Sequence, residues 1–182
     1  FGRTRQAWEK GDPDANAAFD EWARGNRMAD SLHVNIHHVW HAIPNGFKDE
    51  FAAHPEYFAL VAGRRAPPQF CVTNPGLQKT VAAYAERFFE QNPDADMASL
   101  DPADQAGWCT CPECAKLGHH SAQAFHLANV VAQALQKTHP GKWVGLLAYS
   151  WHSDAPPFVL EPNVYVQLTA GMLASKFTFD EL

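Results

Sequence analysis

Apolar positions along the chain fall into two rhythms, a helical stripe and an unbroken run, and the two alternate. Trp8, Ala15, Phe19, Trp22 and Ala23 recur at helical spacing among charges, which predicts one or two amphipathic helices over residues 5–28, interrupted at Gly11-Asp12-Pro13. Residues 32–39 form an apolar, β-branched run dense in histidine and closed by Pro44-Asn45-Gly46, the pattern of a buried strand ending in a loop. A short helix is expected over residues 48–60 and a second strand over residues 70–73. Asn74-Pro75 then supplies an N-cap and a first-turn proline for the clearest helix in the chain. Its stripe is Leu77, Val81, Tyr84, Ala85, Phe88 and Phe89, and Asn92-Pro93 ends it. Residues 96–100 predict a third strand, followed by a loop over residues 101–118. Ser121 can cap a further helix with Phe125, Ala128, Val131, Ala132 and Leu135 inward, stopped by His139-Pro140-Gly141. Residues 143–150 and 164–169 read as strands covered on both faces.

Alternating strands and helices point to an α/β fold with a parallel sheet and helical crossovers. No glycine-rich fingerprint follows the first strands, so nothing supports a nucleotide-binding sheet. Residues 152–163 carry Pro156, Pro157 and Pro162 and are too short for a crossover helix, so a bare loop between neighbouring strands is expected there. The expected architecture is a (β/α) TIM-type barrel, incomplete, with about five strand-helix units of about eight. It would occupy residues 32–182, with residues 1–31 as an N-terminal helical segment packed on it.

Composition adds boundaries. The chain has 182 residues, 46% of them hydrophobic and 19% charged, which suffices for a core and argues against disorder. A net charge of −6 without any Lys/Arg run argues against nucleic acid as a partner, and no apolar stretch approaches the ~18 residues needed for membrane insertion. Phe1-Gly2-Arg3-Thr4 offers neither an initiator Met nor signal-peptide regions, so a piece of a longer chain is expected, with the remainder of that chain as a partner.

In parallel sheets the loops after the strand ends carry function. Here they hold His37, His38, Trp40 and His41; Cys71 and Asn74; Asp101, Asp104 and Trp108; and Tyr149, Trp151, His152 and Asp154. Rings beside carboxylates and imidazoles suit a carbohydrate, whose faces stack on aromatics while its hydroxyls need donors and acceptors. The same tryptophans can equally fill space under the loops. Asp101 and Asp104 close the third strand, where a shielded carboxyl can serve as a general acid, although Asp-Pro-x-Asp is also a common loop and capping sequence. Cys111-x-x-Cys114 matches a zinc knuckle, with Cys109 and Cys71 as third and fourth thiolates of a structural zinc; two disulfides in an exported protein, or one disulfide and two free thiols, are the alternatives. In extended backbone His33, His37 and His41 share one face, while His38 and Trp40 take the other.

Several ordered blocks resemble a known family. His54-Pro-Glu-Tyr-Phe-Ala-Leu60, Phe70-Cys-Val-Thr-Asn-Pro75, Asp104 leading into Gly107-Trp-Cys-Thr-Cys-Pro-Glu-Cys114, Leu147-Ala-Tyr-Ser150 and Asn163-Val-Tyr-Val-Gln-Leu168 look like the bacterial proteins of domain of unknown function 4838. The resemblance implies a carbohydrate-active protein similar to the family 20 hexosaminidases and the alpha-glucuronidases, exported to the periplasm or the cell exterior. Asp104 matches the family's Pro-x-Asp step, Asp101 stands where a small hydroxyl residue is more familiar, and all four cysteines match the pattern. A second strand-end carboxylate is not evident, which leaves it to missing strands or to substrate assistance. The expected function is hydrolysis of a glycosidic bond in a polysaccharide or glycoconjugate. Asp104 would be acid or polariser, with His37, Trp40, His41, Asn74, Trp108, Tyr149, Trp151 and His152 around the sugar. The rival readings are a non-catalytic carbohydrate-binding protein and a metal-dependent enzyme using the histidines between His33 and His41.

Overall fold

The computed structural model describes residues 34–169 and, before them, Ala17, Ala18 and Glu21. Those three are helical, and the rest of the helical stretch expected over residues 5–28 lies outside the described residues, as does His33. Contacts divide the chain between His33 and Val34, and the account below concerns the second unit.

Two long helices form where the apolar stripes predict them, the first with the expected cap and the second without it. α3 (Pro75–Gln91) starts at Asn74, whose side chain accepts from the N–H groups of Gly76 (2.8 Å) and Leu77 (3.1 Å), and it buries Leu77, Thr80, Val81, Ala85 and Phe89. α5 (His120–Thr138) buries Phe125, Leu127, Ala128, Val131, Ala132 and Leu135 and packs on α3. Its N-cap is His119; Ser121, expected there, instead accepts from the Asp154 N–H at 3.0 Å. Three parallel strands, β3 (Met97–Ser99), β4 (Trp143–Ala148) and β5 (Val164–Leu168), follow in spatial order. β4 is largely buried, whereas β5 is an edge with an exposed end, so the expected two-sided cover holds for β4 only. The β4–β5 connection has no crossover helix. Polar side chains of α5 hold it down: Asn129 donates to the Val159 carbonyl, Gln133 and Gln136 donate to Glu161, and Asn163 donates to the Ala132 carbonyl.

The incomplete TIM-type barrel is not what forms. Among the described residues there is no closed barrel, only the three-stranded parallel sheet and a separate two-stranded antiparallel sheet. Two local causes account for this. First, the expected helix over residues 48–60 breaks up into α2 (Lys48–Ala53), a 3₁₀ turn (Pro55–Tyr57) and β1 (Phe58–Val61), preceded by the short α1 (Ile43–Gly46). Ala62 and Gly63, with φ of 48° and 78°, form a tight reversal that pairs β1 with β2 (Arg64–Phe70), so the second expected strand joins a hairpin instead of the parallel sheet. Only Phe70 of residues 70–73 is in that strand. Second, the expected strand over residues 32–39 makes a single parallel bridge, His38 with Asp101. Ser99 on β3 interrupts the ladder, because its hydroxyl accepts from the His37 N–H (3.0 Å) and donates to the His37 carbonyl (2.6 Å).

Gly145 of β4 lies against the side chains of Met97 and Ile36, with Ile36 Cγ1 only 2.7 Å from where a Cβ would stand. Gly145→Ala is expected to cost about 1–3 kcal/mol by overpacking, read as a shifted urea midpoint with an unchanged slope.

Candidate functional site

Two constellations meet in the loop over residues 101–118, which leaves β3 and carries the short helix α4 (Pro112–Leu117). Cys71 follows β2, Cys109 and Cys111 lie in the loop, and Cys114 sits in α4; all four are buried, unbridged thiols. Their sulfurs lie within 4.8 Å of one another, with Cys71 Sγ 3.6 Å from Cys111 Sγ and 3.9 Å from Cys114 Sγ. A tetrahedral ion bound at the usual ~2.3 Å to sulfur has sulfur–sulfur edges of about 3.8 Å, whereas a disulfide needs about 2.05 Å. The four thiols can therefore hold a metal ion as they stand. Donors already face the sulfurs: the Leu60 N–H reaches Cys109 Sγ (3.3 Å), the Cys114 N–H reaches Cys111 Sγ (3.4 Å), and Arg65 Nη1 lies 3.9 Å from Cys109 Sγ. Hydrogen bonding with Cys114 and Cys71 holds the Cys109 thiol well below its usual range, and the bond with Cys109 pushes Cys114 up.

The second constellation centres on Asp101, whose side chain is 0% exposed. Its Oδ1 accepts from the Leu147 N–H (2.8 Å) and lies 3.1 Å from His152 Nε2. Its Oδ2 lies 2.6 Å from His38 Nδ1, which is also 2.7 Å from the Pro102 carbonyl. The ring nitrogen bonds with the carbonyl, so Oδ2 has the ring as a close neighbour but no hydrogen bond. His152 reaches this point because Ser150, with φ of 48°, turns the chain sharply after β4. Three residues on, Asp104 is 59% exposed, its Oδ2 3.9 Å from His38 Nε2. Buried Gln69 clamps the backbone on either side of it, donating to the carbonyls of Ala103 (2.8 Å) and Gln105 (2.6 Å).

A row of rings extends from His38. Tyr149 lies 5.5 Å from His38 and 6.2 Å from His152, and Trp108 lies 5.8 Å from His152. Trp108 stacks on His120 at 5.0 Å, and His120 meets Trp151 edge-on at 5.9 Å. Trp151 is 56% exposed, so the row ends in an open indole face. The other sequence candidates lie elsewhere. Trp40 fills the core, stacked on Phe70 and donating to the Leu100 carbonyl, and Asn74 is occupied as the α3 cap. His37 and His41 are exposed, with His37 Nδ1 3.1 Å from Asn35 Oδ1. Among the described residues the four cysteines are the group whose ligand atoms converge closely enough to hold a metal ion. To the residues that the sequence reading set around the sugar the structure adds His38, which stood among the strand-end residues but on the opposite face from His37 and His41, together with Gln69 and His120.

Burial lowers the pKa of His120, with further repulsion from His119 and His152, and burial alone lowers that of His126. Between the ordinary histidine value of ~6.5 and these lowered values the unfolded chain binds more protons than the folded one, so stability falls as pH falls through that window. Thermal melts from neutral to mildly acid pH are expected to show this loss, and His126→Gln to reduce it.

No helix of the described residues is long and apolar enough to cross a membrane. No curated protein and no solved structure matches the chain. The blocks that carry the cysteines, the Asp104 loop and the ends of β4 and β5 all fall within one family match covering residues 3–178, and the chain belongs to that family, Domain of unknown function (DUF4838).

Proposed function

We propose that the rim formed by the ends of β3 and β4 binds a carbohydrate and hydrolyses a glycosidic bond, with Asp104 as acid or substrate-polarising group. The observation that carries this reading is the exposed Asp104 carboxylate, clamped by Gln69 and set beside His38 at one end of the ring row that runs through Tyr149, His152, Trp108 and His120 to the open face of Trp151. A carboxyl that meets solvent can reach a glycosidic oxygen, and an exposed indole offers a stacking face for a sugar ring. The four cysteines hold a structural zinc in this reading. Four thiolates close the coordination sphere, so the ion supplies charge and a fixed loop, not chemistry at the sugar. It would pin the strand-end loop through Cys109, whose carbonyl accepts from Gln123 on α5, and Thr110, whose N–H donates to the Leu60 carbonyl of β1. Placement in an exported protein rests on the family resemblance alone.

The test is release of reducing ends from a panel of polysaccharides and aryl glycosides by the zinc-loaded chain and by Asp104→Asn. Turnover that survives Asp104→Asn would remove Asp104 from the chemistry. Quenching of Trp151 fluorescence by glycans without any turnover would leave binding as the function, the second reading that its exposure favours.

A further inference from the structure

Burying a carboxylate completely is costly, and a chain tolerates it where partners compensate the charge. Asp101 has hydrogen-bond partners at Oδ1, His152 and the Leu147 N–H, while its Oδ2 takes no hydrogen bond and lies 2.6 Å from the His38 ring, which can offset the charge on taking up a proton. What distinguishes His38 from His152 is solvent. The His38 side chain is 25% exposed, against 4% for His152, and His38 alone has a second nitrogen facing the Asp104 carboxylate. Both groups that meet His38 Nδ1, the Asp101 carboxylate and the Pro102 carbonyl, are acceptors. Nδ1 must therefore carry the proton in the neutral ring, which leaves the Nε2 lone pair directed to Asp104 and water.

We infer that His38 is the proton-transferring partner of Asp104, acting through Nε2, that the Pro102 carbonyl fixes its Nδ1 side, and that Asp101, whose carboxylate lies against the ring, is the positioning residue that offsets its charge when it takes up a proton. The inference rests on the hydrolytic reading above for the reaction it serves, but not for the dyad itself. In the step, the glycosidic C–O bond breaks and its electron pair leaves with the oxygen, which takes the proton of the Asp104 carboxyl. Water bonds to the sugar carbon and its surplus proton passes to His38 Nε2. The imidazolium, facing Asp101, then returns that proton to Asp104 and both groups are restored. The 3.9 Å between Nε2 and Asp104 Oδ2 is spanned by a small side-chain rotation or one bridging water. The charged and titratable groups facing His38 are Asp101 and Asp104 from the strand-end loop and Tyr149 from the end of β4.

The test is long-range ¹H–¹⁵N spectroscopy of the labelled, zinc-loaded chain, with the His38 ring assigned by its loss in His38→Asn. Neutral His38 is expected to be protonated on Nδ1 and bare on Nε2. Asp101→Asn should shift the ring signals of both His38 and His152, while Asp104→Asn keeps the Nδ1–H tautomer. An Nε2–H tautomer in the unaltered chain, or signals indifferent to Asp101→Asn in a protein whose circular dichroism is unchanged, would overturn the dyad. On a hydrolysed substrate, His38→Asn is expected to lower kcat by about 10²–10⁴-fold with KM little changed. If Asp104→Asn abolishes turnover and His38→Asn does not, the relay falls and the hydrolytic reading stands. If the unaltered chain turns over nothing, the hydrolytic reading falls and the spectra still decide the dyad.

Discussion

If the four thiols hold zinc as proposed, stripping it with a strong chelator, or replacing Cys109 with serine, is expected to lower the melting temperature of the zinc-loaded chain by about 8–16 °C and to loosen the loop over residues 101–118. With free zinc about a thousandfold above its Kd, binding adds about 4 kcal/mol to the folded state, which the apo protein forgoes. For a chain of this length each kcal/mol moves the transition by about 2–4 °C. The fold does not vanish with the metal, as a zinc finger does, because α3, α5 and the parallel sheet have their own core of Leu77, Val81, Phe125, Leu135, Val144 and Leu146. The loop has less to fall back on. Cys71 and Cys114 tie β2 to α4, and Cys109 ties both to β1 through the Leu60 N–H. Calorimetry before and after chelation, with zinc added back, checks the shift; an unchanged transition would show that the thiols need no ion.

Asp101→Ala destabilises the fold by about 3–5 kcal/mol, while Asp104→Ala stays within about 0.5 kcal/mol. Removing the buried carboxylate leaves His152 and the Leu147 N–H without their acceptor at a site where the Asp101 and His152 side chains are 0% and 4% exposed. Asp104 projects into solvent and loses only a distant ionic neighbour. Turnover inverts the order for Asp104, where a loss of about 10²–10⁴-fold is expected with stability intact. Urea unfolding of both variants separates the two acids. Equal stability losses would mean that Asp104 is held by contacts its exposure does not suggest.

The long helices were legible from their stripes, and α3 from its cap as well: Asn74-Pro75 opens it and buried Leu77, Val81, Ala85 and Phe89 run along it, whereas Ser121 does not cap α5. The β4–β5 loop was legible from its prolines. The hairpin was not, since Arg64–Phe70 is polar and proline-bearing and its turn is Ala-Gly instead of Asn-Gly. Nor was the loss of the first ladder, which depends on one hydroxyl of Ser99 reaching across to His37. The cysteines were readable as a group, including distant Cys71, because thiol chemistry narrows what such a cluster can be. By spacing alone the two acids looked alike, and only the family resemblance favoured Asp104. Burial of one and exposure of the other is decided by His152, which arrives from a loop 51 residues further on. Trp40 and Trp151 looked equally suited to stacking, but one completes the core beside Phe70 and the other stands in solvent.

The most direct measurement of the proposed chemistry is the mass of the products formed in heavy-oxygen water by the zinc-loaded chain on whichever glycan of the panel quenches Trp151. Hydrolysis at the Asp104 rim predicts one heavy oxygen at each new reducing end, and no such product from Asp104→Asn. Products without heavy oxygen, or the same labelled product from Asp104→Asn, would contradict it.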